Sequence, residues 1–297
     1  MSPRRDRRLA WLLPVALLLG AVAWAAADSS GGARTDRATG AGGARTDRAA
    51  GAPASVAATA ASTTAVPTVA PSTSPSPPLA GRTITVDPGH NGGNFTHPQQ
   101  IARLVPDGNG EKECDTTGTA APDGYREADF NWSVAQRLRA LLRGAGATVV
   151  MTRGSNDGVG PCVNERAAIG NRAHSDAAIS IHADGGPPGG SGFAVLLPAA
   201  IPGGADRSII APSQRLGVDE RASLLQIGLH VSTYDGHGGL APRTDLGGLN
   251  LSRVPKVFVE VANMQNRADE APMERPAYRE RVAHALLAGL ERFLPAR

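Results

Sequence analysis

From residue 82 onward the chain alternates strand-length runs of β-branched residues with stretches of helical period, and that alternation confines it to an α/β architecture. The first run, RTITV at residues 82–86, ends at Asp87-Pro88-Gly89, a sequence expected to turn. A helix is predicted over residues 128–143, where Phe130, Val134, Leu138, Leu141 and Leu142 recur at helical spacing and Gly144 and Gly146 stop it. Strands over 147–152, 177–182, 192–197 and 256–261, with helices over 164–174, 213–231 and 275–293, complete the series. The expected fold is a single α/β domain, a mainly parallel or mixed twisted sheet with helices on both faces. Ligands of such sheets sit beyond the carboxyl ends of the strands.

Ahead of this region the composition changes sharply. The first eight residues are rich in arginine, residues 9–27 are almost wholly apolar, and Ala23, Ala25, Ala26 and Ala27 gather small side chains at the end. That is the layout of a secretory signal peptide, or of a membrane anchor if it is retained. The remainder is expected to be exported: secreted, periplasmic or cell-wall associated. Residues 28–80 are mainly Ala, Gly, Ser, Thr and Pro, with GGARTDRA occurring twice, from Gly31 and from Gly42. This composition has too little apolar side-chain area to offset the entropy of ordering, so a disordered linker is predicted, leaving 81–297 as the catalytic domain. A net charge of +3, with much of the arginine in the leader and linker, points to no nucleic-acid partner. A monomer is expected. The two cysteines, Cys114 and Cys162, read as one disulfide in an exported domain, stabilising it by about 2–4 kcal/mol.

Three predicted strand ends carry residues suited to metal binding or proton transfer: His90 after TITVDPG, His182 in AISIHADG and Glu260 in KVFVEVAN. Glu127, at the start of the first long helix, faces the same rim. Two imidazoles and one carboxylate, with a position left for water, form the ligand set of many hydrolytic zinc sites, and a second carboxylate is then free to act as base. Each residue also has a plainer role: a histidine at a strand end can be a hydrogen-bonded surface residue, and Glu127 can favour the positive end of a helix. Glu260 resists that reading, because Val257, Val259 and Val261 flank it in an apolar strand where an unpaired carboxylate is costly.

These segments resemble, in order, the motifs of the zinc-dependent N-acetylmuramoyl-L-alanine amidases of the amidase-3 type. TITVDPGHNGG is similar to the first-ligand motif, GYREADFNWSVAQRLRALLRGAGATVVMTR to the glutamate-bearing helix and next strand, NERAAIGNRAHSDAAISIHAD to the second histidine region, and VPKVFVEVANMQN to the last strand. The resemblance implies that His90, Glu127 and His182 bind Zn²⁺, that Glu260 is the general acid/base, and that the substrate is peptidoglycan or a muropeptide cut between N-acetylmuramic acid and L-alanine. It departs from the pattern at Asn91, ahead of the Gly92-Gly93 pair, and at Asp184, where asparagine is common. A zinc peptidase acting on the stem peptide and an inactive wall-binding module remain as alternatives.

The segment between His90 and Glu127 is longer than usual for that family. It is expected to form a loop or hairpin at the rim, tied through Cys114 to Cys162, either shaping access or serving only as an insertion. Residues 243–249, RTDLGGL, either line a groove or make a structural connection. No helical period over 185–212 suggests an inhibitory helix, so activity without an activator is expected. His97, His174, His230, His237 and His284 have no assigned role, though His97 lies close enough to His90 to serve as an accidental ligand.

Overall fold

The computed structural model describes residues 76–202 and 207–295; the predicted leader and all but the last residues of the predicted linker lie outside the described residues. In chain order the elements are β1 (Thr83–Pro88), a 3-10 turn (Asn94–Thr96), α1 (Pro98–Ile101), β2 (Leu104–Pro106), β3 (Glu111–Glu113), α2 (Glu127–Gly144), β4 (Thr148–Met151), α3 (Val163–Arg172) and β5 (Ala177–Asp184). There follow β6 (Ala194–Pro198), a 3-10 turn (Arg207–Ile209), α4 (Ile210–Gln226), β7 (Leu240–Arg243), α5 (Gly247–Asn250), β8 (Lys256–Asn263), α6 (Arg267–Glu270) and α7 (Pro276–Phe293).

Six strands form one mixed sheet in the order β4-β1-β5-β8-β6-β7. The first four are mutually parallel, β6 runs antiparallel to β8, and β7 is parallel to β6. Alternation along each strand makes the two faces chemically different. Ile84, Val86, Ile179, Ile181, Val257, Val259 and Val195 belong to the main apolar core with Phe130, Leu138 and Leu142 of α2, Leu216 and Leu224 of α4, and Val282, Leu286 and Leu290 of α7. Burying each large side chain contributes about 1.5–3 kcal/mol. The opposite face presents Thr85 and Asp87 on β1, Ser180, His182 and Asp184 on β5, and Lys256, Phe258 and Glu260 on β8, the side packed by α3 and α5. The apolar face holds the fold together and leaves the other free to carry charge.

Local chemistry sets the element ends. Helix α2 stops where Gly146 adopts φ 88 and its N–H, with that of Ala147, returns to the carbonyls of Arg143 and Leu142. The predicted turn at Asp87-Pro88-Gly89 comes later, because Asp87 and Pro88 still pair with Ser180 and Ile181 and the chain reverses only at His90. The helix predicted to reach residue 231 ends at Gln226, since Gly228 takes φ 82 and Val231 bridges to Phe193 as extended chain. Leu79 is fully buried in the main core, so packing begins ahead of Gly81. Among the described residues no helix is long and apolar enough to cross a membrane.

Candidate active site

His90, Glu127 and His182 converge at the carboxyl end of the sheet, each offering one ligand atom within 4.8 Å of the others. His182 lies in β5, and Glu127 is the first residue of α2. His90 follows β1 with φ 54, a conformation that costs a non-glycine residue about 1–3 kcal/mol and is held by its surroundings. Glu127 Oε1 is 2.8 Å from His182 Nδ1 and 3.3 Å from His90 Nε2, while its Oε2 accepts the Thr119 N–H at 2.9 Å. Two glycines admit this approach. A Cβ on Gly89 would lie 2.0 Å from His182 Cε1, and one on Gly118 would lie 2.7 Å from Glu127 Oε2. The glycine of the DPGH run is thus required by a histidine more than ninety residues later.

The electrostatics of this cluster favour a cation. Burial disfavours charge on His90, yet the Glu127 carboxylate and Asp115 beside it outweigh that and raise its pKa to about 10. Burial likewise opposes ionisation of Glu127, but His90 and His182 hold its carboxyl well below the usual range. Burial lowers the pKa of His182, keeping that imidazole neutral with a lone pair to share. Two imidazoles and one ionised carboxylate around a point that attracts positive charge fit a divalent ion of zinc's type.

Glu260 stands on β8 opposite His182, and Phe258, two residues before it, stacks on the His182 ring with centroids 3.7 Å apart. Burial, then the charges of Glu127 and Asp184, raise the Glu260 pKa well above the ordinary value. Its Oε2 has no hydrogen-bond partner among the described residues. Asp184 accepts a 2.7 Å hydrogen bond from Tyr234 Oη.

Sequence reasoning did not single out the buried charges behind these residues. Asp87 accepts from Lys256 Nζ (2.9 Å), Arg166 (3.0 Å), Thr152 Oγ1 (2.7 Å) and Ser180 Oγ (3.0 Å). Burial works against its ionisation, but Lys256 and Arg166 hold it far below the usual aspartate range. Arg166 also donates to Asp115 Oδ2 (3.1 Å) and to the carbonyls of Pro88 (2.8 Å) and His90 (3.0 Å). Arg153 donates to the carbonyls of Pro88 (2.9 Å), Gly89 (3.4 Å) and Ala128 (3.2 Å), tying the His90 turn to the residue after Glu127. Arg166 shares the buried face of α3 with Ala167 and Gly170, a position where an arginine needs partners.

The site opens into a cleft of about 430 Å³. One wall is the 91–126 segment, which contains the β2–β3 hairpin and contributes Lys112, Glu113 and Thr116. Leu246, Gly247 and Gly248 line the same cleft, so the glycine-rich stretch does border a groove. Lys112 Nζ reaches across to the Asp245 carbonyl at 3.0 Å. Cys114 and Cys162 form the expected disulfide, with Cα atoms 4.4 Å apart, joining the end of the hairpin to the start of α3. His97 bonds the Gly93 carbonyl at 2.8 Å and is not part of the ligand group.

Residues 84–292 match the family described as N-acetylmuramoyl-L-alanine amidase. A curated relative, the N-acetylmuramoyl-L-alanine amidase Rv3717 of Mycobacterium tuberculosis, is 41% identical over 221 residues, covering 73% of this chain and 88% of that protein. The crystal structure of the N-acetylmuramyl-L-alanine amidase Ami1 from Mycobacterium smegmatis superposes with a TM-score of 0.69 at 43% identity, covering 73% of this chain and 98% of that one. The apo form of Ami1 from Mycobacterium abscessus gives 0.68 at 43% identity, covering 73% and 100%.

Proposed function

The chain belongs to the N-acetylmuramoyl-L-alanine amidase family and is a peptidoglycan amidase, and from this premise we propose an exported, zinc-dependent enzyme with Glu260 as its general acid/base. His90, Glu127 and His182 would hold the ion. Bound there, zinc supplies Lewis-acid polarisation of the amide carbonyl and acidifies water toward a pKa of ~7.

The chain's own residues supply positioning and proton transfer. Glu260 takes a proton from the attacking water and returns it to the nitrogen of the departing L-alanine, so the carboxyl ends the cycle as it began. Its raised proton affinity, set by burial and by neighbouring Glu127 and Asp184, suits it to carry that proton between the two atoms. Phe258 stacks on the His182 ring and restrains its orientation, and the cleft lined by Lys112, Glu113 and Leu246–Gly248 would receive the substrate beside it.

The observation that carries this reading is the convergence of three donor atoms within 4.8 Å beside a carboxylate oxygen that has no hydrogen-bond partner among the described residues. Stripping the protein with a chelator is expected to abolish muropeptide hydrolysis, and adding back zinc at stoichiometric amounts to restore it. Full activity in the metal-stripped protein would contradict the proposal.

A further inference from the structure

Resting on the zinc reading above, we propose that Asp115 is a positioning residue for His90, and that the Cys114–Cys162 disulfide sets the zinc affinity of the site by holding Asp115 in place.

The His90 ring has two nitrogens and only one can face the ion. Nδ1–H donates to Asp115 Oδ1 at 3.0 Å and lies 3.1 Å from the Thr116 carbonyl, which leaves Nε2 as the atom turned toward Glu127, 3.3 Å away. A ligand histidine whose second nitrogen is bonded to a carboxylate has its tautomer and orientation fixed. Asp115 is itself fixed: Oδ1 accepts the Thr116 N–H at 2.8 Å and Oδ2 accepts Arg166 at 3.1 Å. Because Arg166 also grips the His90 carbonyl, a closed ring runs from the His90 backbone through Arg166 and Asp115 to the His90 imidazole.

The two halves of this ring come from separate segments. Asp115 lies just after the hairpin, whereas Arg166 lies one turn into α3, its N–H bonded to the Cys162 carbonyl. The disulfide joins the residue before Asp115 to the residue that caps α3. Elsewhere the hairpin is held by the Lys112 bond to the Asp245 carbonyl and by close packing of Asp107 and Gly108 against Gly247 and Asn250, but next to Asp115 the disulfide is the covalent tie. The buried apolar cluster at this point consists of Val105 and the two cysteines, with Val163 against it, and a two-stranded hairpin is marginal without a core to pack on. The Val163 N–H to Cys114 carbonyl bond, 2.8 Å, is the backbone link that would remain.

A disulfide with a purely structural role would change the melting temperature and leave the affinity of the folded site alone. The test is a zinc titration of the metal-stripped full chain against a chromophoric competing chelator. The wild type is compared with the isosteric Asp115→Asn variant and the Cys114→Ala/Cys162→Ala double variant, at a temperature where circular dichroism shows each to be folded. Both variants are expected to bind zinc about 10- to 100-fold more weakly, as for other partners of ligand histidines. A wild type that binds zinc with variants that match it would overturn this inference and leave the zinc site standing. A wild type that binds no zinc would overturn both.

Discussion

Glu260 faces His182 across the β5–β8 ladder, with its Oε2 shielded from solvent and accepting no hydrogen bond among the described residues. A shielded carboxylate oxygen with no donor is costly, and beside a cation-favouring cluster its natural partners are the protons of the reaction. Glu260→Gln is expected to keep the fold and the zinc content while lowering kcat by about 10²- to 10⁴-fold. Zinc analysis and muropeptide turnover on one sample check this, and near-native turnover would remove Glu260 from the chemistry.

Gly89→Ala removes no ligand atom yet is expected to weaken the site. Its Cβ would fall 2.0 Å from His182 Cε1, so either the imidazole or the β1 turn must move. Overpacking of this kind costs about 1–3 kcal/mol, and the displaced group here is one of the proposed ligands. A chelator competition should show a larger loss of zinc affinity than of metal-free thermal stability. Unchanged affinity would argue against His182 as a ligand.

The strands bearing His182 and Glu260 and the helix bearing Glu127 were legible in the sequence because β-branched runs and a 3.6-residue period mark them directly. What joins them was not. Asp115 sits outside any regular element, and no periodicity signals that it meets His90, 25 residues away. Lys256 opens a run whose valines dominate the pattern, although the alternation of Lys256, Phe258 and Glu260 against Val257, Val259 and Val261 does assign them to opposite faces. Strand β7, LAPR, contains a proline and too few residues to show a period, and it exists because it pairs with β6 at the sheet edge.

Asp87 makes the fold sensitive to acid. Its folded-state pKa lies far below the usual 3.8 through Lys256 and Arg166, acting against burial. A depressed carboxyl pKa contributes stability that is fully present above 3.8 and is lost as pH falls through the folded value. Asp115, held at about 2 against burial by Arg166 and His90, titrates in the same direction. Asp87→Ala leaves the buried Lys256 ammonium without its carboxylate partner and Arg166 with Asp115 alone, and is expected to cost about 3–5 kcal/mol near neutral pH. In urea unfolding, the gap between variant and wild type should narrow as pH drops below about 4; a gap independent of pH would contradict this account.

Glu220 makes the opposite contribution. It is fully buried on α4, both carboxyl oxygens lack hydrogen-bond partners among the described residues, and Gly289 of α7 leaves the space it occupies. Burial, with Asp219 beside it, pushes its pKa well above 4.5. A raised carboxyl pKa favours the fold below 4.5 and destabilises it as pH rises toward the folded value. Glu220→Gln removes that titration, so its stability relative to the wild type is expected to rise as pH climbs from 4.5 through neutrality. Melting temperatures across that range measure it, and a difference that does not rise with pH would refute it.

The central claim is that zinc held by His90, Glu127 and His182 serves hydrolysis of the sugar–peptide amide. The most direct measurement is mass spectrometry of the products when the protein is incubated with muropeptides, with zinc and with chelator. The account predicts free stem peptide beginning at L-alanine, absent when the chelator is present. Shortened stems still attached to the muramyl sugar would contradict it and identify a peptidase.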